Sequence, residues 1–340
     1  IEESSFSNCD HLTSVTFSED SKLLSIGKGA FNGTPLKSIF IPSKVKELKD
    51  GWCNGTSKLD EIVVSKENKL YKTVDDKMII GKHNEQDAEY TDLIFCCRNV
   101  KMINVPSKIE RICPYSFSEC KELKSIKFAD SSLISIGQYS FSNSSLEQIT
   151  VPSHIKLIDE YAFYNCKELQ LVDFEANSEL QKIGKFAFYS SSIGSISIPS
   201  RVSQIGESSF AYCEDLLSVT LNEDSELVSI DKSTFDSSSI SSIFIPEKVF
   251  RIDDFAFHGC QDLISIKFSE RSNLQFIGES AFSFSMIKSI SIPSLVSRIG
   301  IRAFSHCKNL ISVEFPADTK VQKIDSEVFA FSSIENFSVP

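Results

Sequence analysis

Residues 232–268, KSTFDSSSISSIFIPEKVFRIDDFAFHGCQDLISIKF, contain the same pattern twice. Each copy has a small residue before a Phe, a Cys or Ser three residues after it, and then a Leu or Ile that opens an alternating apolar run. The residue between the last two apolar positions varies, and is Phe244 in one copy and Lys267 in the other. The pattern therefore predicts a column of buried positions beside a column of exposed ones.

The two copies belong to a repeat that runs along the chain. Prolines that close an apolar run recur every 47 residues, at Pro152, Pro199, Pro246, Pro293 and Pro340. A Phe column divides each period in two, and consists of Phe6, Phe31, Phe117, Phe141, Phe163, Phe188, Phe210, Phe235, Phe257, Phe282, Phe304 and Phe329. A unit of about 22 to 25 residues cannot bury its apolar side alone. The repeat thus predicts a solenoid in which neighbouring coils complete one another's core.

Each unit predicts one strand and a tight bend. The apolar-x-x-apolar-x-apolar run from Leu216 to Leu221 ends in period-two alternation, which indicates strands stacked in parallel, one per coil. We expect the glycines that follow Ile to supply a positive φ at the bend; these are Gly27, Gly137, Gly184, Gly206, Gly278 and Gly300. The Phe rings should form a buried column, each ring contributing about 1.5–3 kcal/mol on burial.

Stretches such as IPSRVSQIGESSFAYCEDLLSVTL, residues 198–221, and LQFIGESAF, residues 274–282, resemble the BspA-like leucine-rich repeat family. That family occurs in surface proteins of mucosal bacteria and protozoan parasites, and the resemblance covers essentially the whole chain. It implies a curved, right-handed, β-rich solenoid with a parallel concave sheet of about 13 strands, and a role in binding host or matrix proteins. One copy departs from the pattern, because Cys53 stands where Phe is expected and Thr56 where Cys is expected. We expect that coil to pack less regularly.

We assign residues 1–340 to a single solenoid in which an insertion, residues 65–104, replaces one regular repeat. There the Ile-Gly-x-x-Ala-Phe step is missing, and alternating stretches around Asp75 and Asp76 predict one or two β-hairpins that leave the solenoid. Such insertions often decorate a binding face, although an excursion without function fits the sequence equally well. The chain starts inside a coil and stops after a strand without a polar capping repeat, so we expect a fragment of a longer protein.

The charge balance argues against nucleic-acid and membrane partners. The formal net charge is -11 and the isoelectric point is near 5.1, whereas nucleic acids and anionic membranes require clustered Lys and Arg. No uninterrupted apolar run approaches the roughly 20 residues that span a bilayer. We therefore predict no nucleic-acid binding and no direct membrane contact by this chain.

Five of the ten cysteines keep the period of the repeat, namely Cys120, Cys166, Cys213, Cys260 and Cys307. They recur in every second coil, so stacking places them about 9.6 Å apart, beyond the limit of about 7 Å between the Cα atoms of a disulfide. We expect these five to be reduced and buried. The sequence does not decide whether a disulfide forms, in an oxidising compartment, among Cys53, Cys96, Cys97 and Cys113.

Patterns typical of catalytic or metal sites do not emerge. The five histidines form no HExxH motif and accompany no Cys-x-x-Cys pair, so we predict neither a zinc site nor a cofactor. The acidic group at 85–92 lacks the spacing of an EF-hand loop and indicates a solvated loop. Four sequons permit N-glycosylation in a secreted eukaryotic chain, at Asn32, Asn54, Asn143 and Asn336.

The variable residue of each strand points away from the core. We predict that this column lies on the concave sheet face and binds a protein ligand; its members are Phe40, Val63, Lys127, Thr150, Asp173, Ser197, Thr220, Phe244, Lys267, Ser291 and Glu314. At ordinary strand dimensions the face covers about 60 Å by 17 Å, or roughly 1,000 Å². That area exceeds the ~800 Å² that one partner contributes to a standard protein interface, which favours a macromolecular ligand.

The sequence therefore predicts a non-enzymatic, protein-binding solenoid at the cell surface or in secreted form, acting in adhesion or in recognition of host or matrix proteins. An alternative is a ligand-sensing or scaffold region of a larger cytoplasmic protein whose catalytic domain, for example a kinase, lies outside this chain. Flanking sequence distinguishes the two by a signal and membrane anchor or by a kinase motif set.

Overall fold

The structure is a computed structural model that describes residues 1–128 and 132–339, and of Asn336 only the backbone. Its regular elements are short β-strands, and within these ranges no helix is long and apolar enough to cross a membrane. The chain divides into two compact units, Ile1–Leu169 and Gln170–Pro340. The predicted fold class is confirmed, because stacked parallel strands form a β-solenoid of about 13 turns.

The first unit has a row of long strands and a row of two-residue strands. Its elements are β1 (Ser14–Val15), β2 (Ser25–Ile26), β3 (Ser38–Ile41), β4 (Glu47–Leu48), β5 (Glu61–Val64), β6 (Tyr71–Val74), β7 (Met78–Gly81), β8 (Asp92–Cys96), β9 (Met102–Val105), β10 (Arg111–Ile112), β11 (Ser125–Phe128), β12 (Ser135–Ile136), β13 (Gln148–Val151) and β14 (Leu157–Ile158). In the long row, β3 pairs in parallel with β1 and β5, and β11 with β9 and β13. In the second row, β2 pairs with β4, and β12 with β10 and β14.

The second unit repeats the two rows. Its elements are β15 (Leu171–Phe174), β16 (Lys182–Ile183), β17 (Ser195–Ser197), β18 (Gln204–Ile205), β19 (Ser218–Thr220), β20 (Ser229–Ile230), β21 (Ser242–Ile245), β22 (Arg251–Ile252), β23 (Ser265–Phe268), β24 (Phe276–Ile277), β25 (Ser289–Ser291), β26 (Arg298–Ile299), β27 (Ser312–Glu314), β28 (Lys323–Ile324) and β29 (Asn336–Phe337). The long strands pair in parallel as β15–β17–β19, β21–β23 and β25–β27–β29. The short strands pair as β16–β18 and β20–β22–β24–β26–β28.

The alternation within one long strand explains how the core is built. In β21, Ile243 and Ile245 are buried, whereas Phe244 between them is half-buried on the opposite side. Pairing in register sets Ile243 beside Ile266 of the next coil, so equivalent apolar residues stack along the solenoid. Each coil thereby removes the apolar side of its neighbour from water.

The Phe column stacks ring on ring inside each unit. In the first unit, the ring centroids of Phe117, Phe141 and Phe163 are separated by 4.8 and 5.1 Å. In the second unit, neighbouring rings from Phe188 to Phe329 are 5.1–5.7 Å apart with interplanar angles of 6–15°. This spacing is that of favourable aromatic pairs.

In the coil that has Cys53 at the Phe position, the neighbouring Trp52 supplies the aromatic ring of the column. Cys53 occupies the Phe position, and Thr56 donates its hydroxyl to the carbonyl of Cys53 over 2.6 Å. Trp52 takes the preceding small-residue position, and its ring contacts Phe31 edge-on at 6.4 Å and Phe95 at 5.7 Å. The aromatic contacts are therefore less regular, as predicted, although Trp52 is buried.

The reason proposed for glycine after Ile is wrong. The glycines with positive φ are others, namely Gly29, Gly33, Gly51, Gly55 and Gly259. At Gly137, by contrast, an added Cβ would lie 2.6 Å from the carbonyl oxygen of Ile112 in the preceding coil. Glycine is needed there because the backbones of adjacent coils approach too closely for a side chain.

Replacing Gly206 by Ala should therefore destabilise the second unit. A Cβ at this position would lie 2.7 Å from the backbone nitrogen of Lys185, which cannot move aside as a flexible side chain could. We expect the unfolding free energy to fall by about 1–3 kcal/mol. Gly194→Ala is the matched control, since nothing lies within 4 Å of its Cβ position; it should change stability by less than about 0.5 kcal/mol. Equal denaturation midpoints for the two variants would contradict the close-approach explanation.

The insertion contains the predicted hairpins but does not leave the stack. Strands β6, β7 and β8 form an antiparallel meander, with an irregularity between Ile79 and Ile80. Strand β8 then pairs in parallel with β10, and the backbone N–H of Leu48 donates to the hydroxyl of Tyr71 over 3.1 Å. The meander therefore fills the second strand row between β4 and β10. A projecting protrusion is incompatible with this pairing.

All ten cysteines are free thiols, and the five periodic ones are buried as predicted. The bridge left open for Cys53, Cys96, Cys97 and Cys113 is not formed. In four coils the thiol donates over 3.0–3.1 Å to the carbonyl of the column Phe one coil earlier; these pairs are Cys166 with Phe141, Cys213 with Phe188, Cys260 with Phe235 and Cys307 with Phe282. A serine hydroxyl of that earlier coil lies 3.3–3.6 Å from each sulfur. The Cys column is thus a hydrogen-bonded packing feature.

Candidate functional site

The residues predicted to bind a ligand lie on the exposed side of the long strands, which we call the long-strand face. In the second unit, in-register pairing sets neighbours side by side, namely Ser197 with Thr220, Phe244 with Lys267 and Ser291 with Glu314. Asp173 holds the same position on β15. These side chains are exposed apart from the half-buried Phe244, so a partner could touch the whole column.

The first unit carries the corresponding column. Phe40 pairs with Val63, and Thr150 is exposed at the equivalent place on β13. Lys127 pairs with Asn104, a member of the column that the sequence prediction did not include. Asn104 stands between the buried Ile103 and Val105, so its alternation was visible but was attributed to the insertion.

A row of serines runs beside this column in the second unit. Register pairs join Ser195 to Ser218, Ser242 to Ser265 and Ser289 to Ser312. Because paired strands lie about 4.8 Å apart, the row presents closely spaced hydroxyl groups. Hydroxyls both donate and accept hydrogen bonds, so this row can satisfy polar groups of either kind on a partner.

An exposed apolar row, which the sequence prediction missed, flanks the serines where the chain enters the long strands. It consists of Leu217, Ile264 and Ile311, whose side chains are 60%, 47% and 50% exposed. Backbone bonds fix the row, since Leu217 accepts from the N–H of Ser241 at 3.1 Å, and Ile264 donates to Ser241 at 2.9 Å. Its members are 47 residues apart, the spacing of the prolines, so the signal was present in the sequence. They recur in every second coil, roughly 9.6 Å apart.

Two grooves border the long-strand face of the second unit at the ends of its strands. The first has a volume of about 440 Å³ and is lined by residues that include Asp173, Ser197, Pro199, Arg201 and Asn222. The second has a volume of about 450 Å³, lies two 47-residue periods further on, and is lined by residues that include Glu270, Ser291, Pro293, Glu314 and Pro316. Both grooves share residues with the predicted column, so they extend the same surface.

Metal and glycan chemistry receive no support from the geometry. Across residues 1–128 and 132–339, no group of three or more His, Cys, Asp or Glu side chains is placed to hold a metal ion. The amide nitrogen of Asn143 donates to Glu119 over 2.8 Å, so a glycan there would break that bond. Asn32 and Asn54 are half-buried; the amide nitrogen of Asn32 donates to the hydroxyl of Ser7 over 3.4 Å, and the amide oxygen of Asn54 accepts from the hydroxyl of Ser118 over 3.3 Å. The side chain of Asn336 lies outside the described residues.

Comparison with known proteins relates the sequence to one repeat family. The family described as BspA type Leucine rich repeat region matches in 6 copies, over residues 1–78, 91–217 and 228–340. The first gap between these ranges falls within the insertion. No curated protein matches the chain.

Solved structures of bacterial repeat proteins are also similar. The pneumococcal vaccine antigen PcpA is 16% identical with a TM-score of 0.51, and the match covers 93% of this chain and 85% of that one. A leucine-rich repeat protein from Bacteroides ovatus is 24% identical with a TM-score of 0.49, covering 93% and 82%. A leucine rich cell surface protein from Faecalibacterium prausnitzii is 21% identical with a TM-score of 0.39, covering 99% and 66%. The likeness to PcpA supports the fold alone.

Proposed function

Because the chain belongs to the BspA-type leucine-rich repeat family, we propose that it is a non-enzymatic solenoid that binds a protein ligand through its long-strand face. The observation that carries the proposal is the exposed apolar row Leu217, Ile264 and Ile311 beside a row of hydroxyls. Three large aliphatic side chains held in line on paired backbone are the kind of anchors around which protein interfaces form. The family also supports binding without catalysis, because its members are repeat proteins that are generally non-catalytic.

The shape of the surface supports a macromolecular ligand. The eight long strands of the second unit span about 34 Å at ordinary strand spacing. The predicted column carries both charge signs, with Asp173 and Glu314 at its ends and Lys267 between them. The serine row and the apolar row beside it are uncharged, so a partner that covers those two rows desolvates no charge of this chain there.

We place this binding at the cell surface or outside the cell, in adhesion or in recognition of host or matrix proteins. The support is membership of a family that occurs in surface proteins of mucosal bacteria and protozoan parasites. The grooves at Pro199 and Pro293 would widen the contact beyond the sheet itself.

The test is binding to immobilised extracellular-matrix proteins and mucins by surface plasmon resonance, with wild type and the variant Ile264→Asp. Ile264 is 47% exposed, so a charge there should leave the fold intact. Because Ile264 lies in the middle of the apolar row, the same charge should disrupt the row as a binding surface. We expect at least one matrix protein to bind and Ile264→Asp to weaken that binding roughly 30-fold, the effect of a hot spot worth about 2 kcal/mol.

Val228→Asp is the matched control for this experiment. Val228 is 39% exposed and immediately precedes β20 in the second strand row, away from the long-strand face. It should bind like wild type. Loss of binding in Val228→Asp together with normal binding in Ile264→Asp would place the interface elsewhere, and absence of binding to every protein of the panel would count against matrix recognition.

A further inference from the structure

A positively charged side chain is buried among thiols in the core of the first unit. Arg98 is only 2% exposed, and its guanidinium lies 4.4 Å from the ring centroid of Phe95. Its Nη1 donates to the carbonyl oxygen of Ser116 over 3.1 Å and to the sulfur of Cys120 over 3.4 Å. Its Nε and Nη2 are buried without a hydrogen-bond partner among the described residues.

Arg98 occupies the position that serine holds in the other coils. It precedes Cys120 by 22 residues, the separation that brings Ser144 to Cys166 and Ser238 to Cys260. In those coils the thiol has a carbonyl acceptor at 3.0 Å, which requires an S–H group. The carbonyl that Cys120 contacts is that of Cys97, which lies 23 residues earlier and 3.9 Å away, whereas in those coils the acceptor precedes the thiol by 25 residues. The sulfur of Cys120 therefore has a cationic donor at 3.4 Å, and its contact with a carbonyl is long.

The charge of Arg98 must be balanced locally. Guanidinium does not lose its proton in proteins, and an unpaired charge in an apolar core is strongly disfavoured. The titratable groups that influence Arg98 most are the thiols of Cys120, Cys53 and Cys96. We propose that Cys120 is ionised in the folded protein, as a buried thiolate that pairs with Arg98.

The groups that surround Cys120 agree with this assignment. Burial alone would raise the pKa of Cys120, but the hydrogen bond with Cys96 and the charge and hydrogen bond of Arg98 lower that pKa to about 7, against a smaller opposing effect of Glu119. Burial raises the pKa of Cys53 to about 12 and that of Cys97 to about 11, and it also raises the pKa of Cys96. Cys120 is the thiol of this cluster that touches Arg98, so the negative charge belongs there.

The experiment is a titration of the whole chain by ultraviolet thiolate absorbance between about pH 5.5 and 8.5, with wild type, Cys120→Ser and Cys166→Ser. We expect wild type to gain about one thiolate equivalent with a midpoint near pH 7, and Cys120→Ser to lose that step. Cys166→Ser should keep the step, because burial raises the pKa of Cys166 to about 12. Circular dichroism checks that each variant is folded.

Arg98→Met keeps the assignment testable if Cys120→Ser does not fold. This variant retains the thiol and the apolar volume but removes the charge, so the step near pH 7 should disappear. Absence of the step in wild type overturns the proposal without reference to any variant. Persistence of the step in folded Cys120→Ser or folded Arg98→Met would also overturn it.

Discussion

Replacing Phe210 by Ala should lower the unfolding free energy by about 3–5 kcal/mol, the usual cost of removing a buried aromatic ring. The side chain of Phe210 is fully buried, and its ring stacks on those of Phe188 at 5.2 Å and Phe235 at 5.6 Å. The neighbouring coils cannot close the resulting cavity, because the strand pairs on either side fix their spacing. Urea denaturation of the purified chain measures the loss.

Two controls separate this effect from a general sensitivity of the fold. Lys267→Ala removes an exposed residue of the predicted binding column and should change stability by less than about 0.5 kcal/mol. Phe250→Ala removes the same ring from a site that is 44% exposed, and should cost well under half as much as the change at Phe210. Similar midpoints for Phe210→Ala and Lys267→Ala would mean that the register of the solenoid is wrong.

The buried and exposed columns could be predicted from the sequence because they depend on alternation alone. A period of two puts Ile243 and Ile245 on one side and Phe244 on the other, whatever the curvature of the coil. The role of glycine could not be predicted in this way. It depends on how closely Gly137 approaches Ile112 one coil earlier, and a distance between backbones leaves no trace in the apolar pattern.

The proposed binding surface could be predicted only at the alternating positions within each strand. The apolar row was missed because Leu217 precedes its strand and lies outside the alternating positions, although its spacing to Ile264 repeats the proline period. Asn104 was missed because residues 65–104 were assigned to the insertion, whereas β9 pairs with β11 in regular register. The long-strand face therefore includes more residues than the variable column alone.

The burial of Arg98 could not be predicted from the columns of the repeat either. Serine precedes four of the periodic cysteines by 22 residues, whereas Arg98 stands at that place before Cys120. Its position in the core follows from β8, which the insertion brings beside β10 in the strand stack. Sequence alone would assign an arginine within an insertion to the solvent, since such a side chain is almost never fully buried without a partner.

Replacing Cys120 by Ala should destabilise the first unit by about 3–5 kcal/mol at pH 8, because it leaves the guanidinium of Arg98 buried without its counter-charge. Cys166→Ala is the matched control in the same column; it removes a neutral hydrogen-bonded thiol and should cost about 1–2 kcal/mol. In the double variant Arg98→Met, Cys120→Ala the orphan charge is gone, so the loss should be smaller than the sum of the single losses by at least about 2 kcal/mol. Additive losses would show that the two side chains do not form an ion pair.

The cost of Cys120→Ala should also depend on pH in a direction that the ion pair fixes. The pKa of Cys120 is lowered from its ordinary value of 9.0 to about 7 in the folded protein, so the folded state binds fewer protons than the unfolded state between those values. The stabilisation by the thiolate is therefore complete above about pH 9 and is lost as the pH falls through about 7. Denaturation at about pH 6.5, 7.5 and 8.5 should show a difference in unfolding free energy between wild type and Cys120→Ala that increases at each step. For Cys166, whose pKa is raised to about 12, the neutral thiol is the stable form and the difference should stay constant over the same range. A difference for Cys120→Ala that is equally constant would assign its cost to packing and not to charge.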